Sequence, residues 1–473
     1  DADEYGEEVA LTLPPGVGAA DADDAPTGAG SLAQPARALV PPVSSAAPAE
    51  RRAESSLPPL KGATAAGGRA VAEADAVEEI VEDYDDDFDA SPEPSPAKGG
   101  AAAPSAPRFG IEVHEYTHRG GTGNGPKENQ DAYFIKKLDE TNYLFGVFDG
   151  HGHDNGKLAS NVASDTARVY LTENFKRLAR EADAVMKECF ELCNKAIYKA
   201  IQSKPDTFVR DGMLVMEVDE SEWELGYDAV DGGTTGSVAA IIDGRTLVYA
   251  SVGDSCGVFA VPGKPDAQGR TAIKVDELVP EHSPTYVKDW AERLHHTGVL
   301  AVYDHPDMFE GPEHLYHVFC PDGAGGWILD QDSIRRADDA GCGCKTERGD
   351  RAAVIMTPEE GRFSQMMLGV TRSLGDFYHQ FYGVSWEPEV VVHDLREVLD
   401  HTDMGIMCIA SDGVWDHWTF DEAMEQIQPV DGKPPSRDVV DEFWENTRFK
   451  GEEAFGDHAD NLTGIVVSIP RPA

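Results

Sequence analysis

Positive charge is what this 473-residue chain has least of. Forty Lys and Arg stand against 86 Asp and Glu, a formal net charge of −46. So acidic a surface repels nucleic-acid backbone and anionic membrane, which argues against both as partners and leaves a basic protein surface as a compatible one. Cysteine is scarce and odd in number, seven in all, so no disulfide framework is expected. Cys189, Cys193, Cys256 and Cys408 fall in apolar helix-like or strand-like runs and read as reduced core residues. Cys342-Gly343-Cys344 has no second chelating pair and reads as a glycine-rich loop. No run of about 18 apolar residues exists to form a transmembrane helix, and no secretory signal core is present. Reduced thiols and no targeting signal lead us to expect the cytoplasm, or a cytoskeletal or ciliary assembly within it. The chain opens on Asp1 without methionine, so a longer natural N-terminus is expected.

Aromatics and apolar residues are also short in residues 1–107, which are rich in Ala, Pro, Gly and Ser and carry 21 acidic against 6 basic residues. Such a segment buries too little apolar surface to offset its ordering entropy, and is expected to be a disordered or partner-bound tail. A short amphipathic patch, Ala70 to Val81, leads into the acidic run Glu82 to Asp89. Tyr84 and Phe88 in that run are candidate anchors for a basic partner. From 108 to 473 the pattern is that of a folded domain. Strands are expected over Asp131–Ile135 and Tyr143–Phe148. Helices are expected over 156–179, with Ala159, Val162, Thr166 and Val169 on one face, and over 181–202, with Met186, Cys189, Cys193, Ile197 and Ile201. A polar loop is expected at 203–231. A hairpin should follow, with a turn at Asp243-Gly244, and then a short helix from Val287 to Gly298. Residues 302–365 lack clear periodicity and read as an insertion, either a flap beside a site or a docking surface.

Five short segments each leave an aspartate beside a strand-like run: Glu128–Asp131, Val147–Gly152, Val252–Ser255, Ala410–Asp416 and Ala459–Asn461. Strands that share a sheet can bring their ends together. Carboxylates gathered there repel one another unless cations neutralise them, and hard divalent ions prefer such oxygen ligands. A two-metal hydrolytic site is the expected product.

Nine segments, in order, resemble the metal-dependent protein serine/threonine phosphatases of type 2C: NQDAYF, LFGVFDGHG, GTTGSVAAII, LVYASVGDSCGVF, LVPEHSPTY, a helix ending in TGV, LGVTRSLGDF, CIASDGVWD and DNLTGIVV. The resemblance implies an α+β fold, a four-layer αββα sandwich of two mainly antiparallel sheets flanked by helices. It implies hydrolysis of phosphoserine and phosphothreonine in proteins by a metal-activated water, with two Mg²⁺ or Mn²⁺ ions and a weaker third. By the same resemblance Asp149 bridges two metals, Gly150 offers its carbonyl, and Asp412 and Asp460 are the remaining direct ligands. Asp254 and Asp416, with Asp412, match the third site, and Gln130 and Asp131 stand behind the ligands. His151 matches the acid that protonates the leaving alkoxide, a role worth about 10²–10⁴-fold.

Two departures stand out. Gln130 replaces the usual glutamate, so it can order water but adds no charge. Pro126 stands where the family often has a phosphate-gripping arginine. Lys127 is the candidate substitute, as a point charge without a bidentate fork, and Arg119 is a weaker one. Arg372 is expected to pair with Asp376. The departures, the tail and the insertion motivate a rival reading, a catalytically weak or inactive subunit with a structural role in a large assembly. A metal-dependent nuclease is poorly supported, because the acidic surface would repel its substrate.

Overall fold

A computed structural model of the chain describes residues 110–121, 127–218, 226–265, 271–359, 361–429 and 432–472. The acidic tail, its Ala70–Val81 patch, Tyr84, Phe88 and Pro126 lie outside the described residues.

Two five-stranded antiparallel sheets form the centre. One runs in the order Glu112–His118, Leu462–Pro470, Met404–Ala410, Cys256–Pro265, Thr271–Glu277. The other runs Glu389–Asp394, Thr246–Val252, Gly236–Ile242, Tyr143–Phe148, Ala132–Lys137. Side chains of a strand alternate between faces, and here both faces are buried. Tyr143, Phe145 and Val147 pack with Met407, Ile409, Ile465 and Val467, so one face of each sheet meets the other sheet. On its opposite face the second sheet presents Leu144, Phe148, Val238 and Ala240 to helices Gly156–Glu173 and Ala182–Gln202. The first sheet presents Ile406, Cys408 and Val466 to Val414, Trp415, Phe443 and Trp444, the last two on helix Arg437–Phe455. Burial on both faces is why these strands read as continuous apolar runs.

The strand, hairpin and helix expectations agree with the structure within a few residues at Tyr143–Phe148, Gly236–Ile242, Thr246–Val252 and Ala182–Gln202. Asp243 and Gly244 both take positive φ, 53° and 61°, as the hairpin turn requires. Three expectations are corrected. The helix over 156–179 breaks after Glu173 and resumes for four residues at Phe175–Leu178. Its buried face is Ala159, Ser160, Ala163, Ala167 and Leu171; Val162, Thr166 and Val169 are only half-buried. Small residues face inward because this helix lies against Ala182–Gln202, which fills the space with Met186, Phe190 and Ile197. The polar loop at 203–231 contains a three-stranded sheet, Thr207–Arg210, Met213–Glu217 and Tyr227–Ala229.

Much of the 302–365 insertion is also ordered. Strands Leu300–Tyr303 and Ala353–Met356 pair, and helix Gln331–Asp339 is capped by Asp330. These elements close over their own core of Leu294, Tyr303, Val318, Phe319 and Ile355. Cys342 is buried beneath them, and Cys344 is exposed. No helix among the described residues is long and apolar enough to cross a membrane.

Arg372 does not pair with Asp376. Its guanidinium grips Asp289 with two bonds, 2.9 and 2.7 Å, and reaches Glu389 at 2.9 Å. Asp289 is fully buried and also receives Arg293 at 2.7 Å. Burial works to raise the Asp289 carboxyl, but the two guanidinium groups outweigh it and hold the group below its ordinary value. A depressed folded-state pKa contributes stability above the unfolded value that is lost as pH falls through the folded one. Removing one partner of a buried pair costs roughly 3–5 kcal/mol. Asp289→Asn should therefore unfold at clearly lower urea than the parent at pH 7, and the gap should narrow as pH drops below about 4. A gap that stays constant with pH would refute the ion pair's part in stability.

Candidate active site

Antiparallel pairing sets the end of one strand beside the start of the next, and the aspartates exploit this. Ala132, just after Asp131, pairs with Phe148, just before Asp149. Ala410, two residues before Asp412, pairs with Cys256, two residues after Asp254, and with Gly464, shortly after Asp460. All five carboxylates thus reach one end of the two sheets. Hydrogen bonds tie the sheets together there: Ser411 Oγ donates to Asp131 Oδ2 at 3.1 Å, and Gln130 N donates to Asn461 Oδ1 at 2.7 Å. Two glycines allow the close approach. A Cβ on Gly150 would fall 2.4 Å from the Gly156 carbonyl oxygen, and one on Gly413 would fall 1.9 Å from that of Asn461.

The result is a cleft of about 450 Å³ lined by Asp149, Asp254, Asp412, Asp460 and His151, among others. Gly150 and Gln130 line it too. Asp131 is buried behind it. Asp416 and Lys127 are outside the lining. Asp416 lies one turn after Asp412. Lys127 Nζ donates to the Ala459 carbonyl at 2.5 Å and lies 3.4 Å from Asp460 Oδ1, so it stands as a point charge at the Asp460 side. The Gln130 amide donates to the Gly152 carbonyl at 2.9 Å.

Burial and mutual repulsion dominate the electrostatics. Burial, then the charges of Asp131, Asp412 and Asp460, push Asp149 well above its ordinary range. Burial likewise raises Asp131 to about 7, with Asp460 adding to it while Thr463 and Ser411 hold it down. The Asp149 and Asp412 carboxylates both line the cleft, and the charge of Asp412 works against ionising Asp149. Two ionised carboxylates have no donor between them, and the buried Oδ1 atoms of Asp131 and Asp412 have no hydrogen-bond partner. Oxygen atoms in this arrangement require a proton or a cation. An all-oxygen set around a polar cleft fits hard divalent ions such as Mg²⁺ or Mn²⁺.

Two residues that the sequence does not assign to the site complete it, Asp376 having been expected only as a partner of Arg372. Asp376 Oδ2 lies 2.7 Å from His151 Nε2 and accepts from Ser373 Oγ at 2.6 Å. Burial disfavours the imidazolium, but Asp376 more than compensates and raises the His151 pKa. Lys345, from the insertion, reaches Asp254 Oδ2 at 2.5 Å and Asp412 Oδ2 at 2.9 Å. Burial of Asp412 is outweighed by that ammonium, which holds its carboxyl below the ordinary value. The Asp376 signal was available in SLGD, where a glycine precedes an aspartate at positive φ (47°). Nothing in the sequence around Lys345 marks it.

The chain is similar to known proteins. Residues 125–270 and 349–434 match two family models, both described as Protein phosphatase 2C. Among curated proteins, the Arabidopsis thaliana "Probable protein phosphatase 2C 35" is 25% identical over 383 residues, covering 79% of this chain and 88% of the relative. The "Probable protein phosphatase 2C 69" of the same plant is 21% identical over 377 residues, 79% of this chain and 73% of the relative. Among solved structures, serine-threonine phosphatase 2C from Toxoplasma gondii shares 18% identity at a TM-score of 0.45, over 77% of this chain and 96% of that one. The catalytic domain of PstP in complex with two manganese ions shares 14% at a TM-score of 0.39, over 76% and 99%. The chain is thus similar, over these two segments and across most of the length of its curated relatives, to the protein phosphatases 2C.

The crowding has a consequence for stability. A carboxyl whose folded-state pKa is raised binds more protons folded than unfolded between its two pKa values, so stability falls as pH rises through that interval. For Asp131 the interval runs from 3.8 to about 7. The cation-free chain should lose melting temperature as pH rises across it, and saturating Mn²⁺ should flatten the slope. A slope indifferent to Mn²⁺ would show that no cation enters the cluster.

Proposed function

We propose that the chain hydrolyses phosphoserine and phosphothreonine in proteins, with Asp149, Gly150, Asp412 and Asp460 holding two Mg²⁺ or Mn²⁺ ions. The observation that carries this reading is the convergence of Asp149, Asp412 and Asp460 on one cleft that also holds His151. Bound there, the ions would lower the pKa of water and neutralise phosphate charge in an in-line displacement. Asp131, accepting from Ser411, braces the cluster from behind. Gln130, fixed on the Gly152 carbonyl, orders water at the cleft edge.

His151 is suited to protonate the departing alkoxide. Its Nε2 is committed to Asp376, which favours the protonated ring and leaves Nδ1 as the atom that can release a proton. A serine or threonine alkoxide is a poor leaving group, so this proton matters at the moment of bond cleavage. Lys127 remains the candidate for phosphate at the Asp460 side, as a point charge. The free cysteines fit a reducing compartment such as the cytoplasm. The rival structural-subunit reading draws on Gln130 and Pro126, and the complete set of aspartates weighs against it.

Purified protein with Mn²⁺ should release phosphate from a phosphothreonine peptide, and EDTA should stop it. Asp149→Asn should lose nearly all turnover, and a variant that keeps it would refute the bridging role. His151→Ala should lose about 10²–10⁴-fold in kcat with little change in Mn²⁺ affinity. Tight Mn²⁺ binding without turnover on several phosphoproteins would instead favour the structural subunit.

A further inference from the structure

One cation in the cleft is already supplied by the chain. The carboxylates of Asp254 and Asp412 converge on a single point, and the ammonium of Lys345 fills it, 2.5 Å from one and 2.9 Å from the other. Asp416 is a third acidic side chain in its surroundings. The side chains of Asp254 and Asp412 are 10% and 17% exposed, and that of Lys345 is 34% exposed. This is a largely enclosed contact, unlike a surface pair of low worth.

The loop that delivers Lys345 is built to hold it there. Cys344 bridges to Arg351, Lys345 N donates to the Asp350 carbonyl at 2.7 Å, and Thr346 Oγ1 donates to Asp350 Oδ2 at 2.8 Å, so the loop closes on itself. It is then fastened to the short helix that carries Asp412. Glu347 N donates to the Asp416 carbonyl at 3.1 Å, and Arg348 Nη1 donates to that of Trp415 at 2.8 Å. The second arm of Arg348 reaches Glu281 Oε1 at 2.6 Å. The lysine is therefore positioned by contacts on both sides of it, and does not arrive as a stray surface side chain.

We propose that Lys345 is a tethered cation that takes the place of a further divalent ion between Asp254 and Asp412, so that this chain loads two ions and excludes a third. An ammonium within hydrogen-bonding distance of both carboxylates occupies the space an ion would need and repels one that approaches. Its tether gives it a local concentration that a free ion must overcome. The 302–365 insertion thereby sets the ion count of the cleft. Lys345 is a positioning residue here, acting through Asp254 and Asp412. The inference rests on the two-ion reading above, and the test separates the two.

Isothermal titration with Mn²⁺ should give two ions per chain for the parent and three for Lys345→Met, which keeps the side-chain length and removes the charge. The added ion should disappear in Lys345→Met combined with Asp254→Asn, and Lys345→Arg should keep the parent count. Melting curves of each variant report whether the loop remains folded. Equal, non-zero counts in the parent and a folded Lys345→Met would overturn the lysine's role and leave the two-ion reading intact. A parent that binds three ions would also overturn it. A parent that binds none would overturn the metal reading itself.

Discussion

Crowding of like charge at one end of two sheets is the constraint to which the rest of the molecule answers. Asp131, Asp149, Asp412 and Asp460 are brought together by antiparallel register, and the charges of Asp131, Asp412 and Asp460 each raise the cost of ionising Asp149. Nothing about isolated strands would gather them. The sheets do so because both faces of each are buried, which fixes the register: a slip of one residue would exchange every inward side chain for its neighbour. The energy that holds the carboxylates against their repulsion therefore comes from Phe145, Met407, Ile465 and the other residues between the sheets. The strain within the carboxylate cluster is electrostatic, and cations would relieve it.

The relief is distributed among several devices. Asn461 places its carbonyl against Gly413 and its side chain against Gln130 N and the Arg119 carbonyl, pinning the last aspartate to the first motif. Lys127 takes up charge at Asp460, and Lys345 takes it up at Asp254 and Asp412. Asp376 is kept ionised because His151 faces it: burial alone would raise its pKa, and the imidazolium lowers it. The His151–Asp376 pair is thus electrically closed and adds nothing to the carboxylate repulsion beside it. That separation lets one small cleft hold an acid for proton transfer and an anionic cage for cations.

The central strands and the aspartates at their ends were legible because their signals are local. Apolar runs such as Tyr143–Phe148 and Met404–Ala410 end at Asp149 and just before Asp412 without a gap. Signals that depend on partners far along the chain were not legible. The inner face of helix Gly156–Glu173 was misjudged because Ala163 and Ala167 look weak beside Val162 and Val169. Small residues win there because a second helix packs close. Arg372 was matched to the nearest aspartate in sequence, Asp376, whereas the structure offers it the fully buried Asp289, 83 residues away. Strands of 207–229 are short, with polar turns at Asp211-Gly212, and so read as loop. Lys345 lies in a stretch without periodicity, and only its contact with Asp254, 91 residues distant, reveals it.

Gln130 and Lys345, the lysine from the insertion, change the cleft in the same direction. A glutamate at 130 would bring one more negative charge to a set already short of cations. The amide removes that charge and donates to the Gly152 carbonyl, a bond that an ionised carboxylate could not make. Lys345 adds one positive charge beside Asp412. Together they lower the demand for external cations by two unit charges, the charge of one divalent ion.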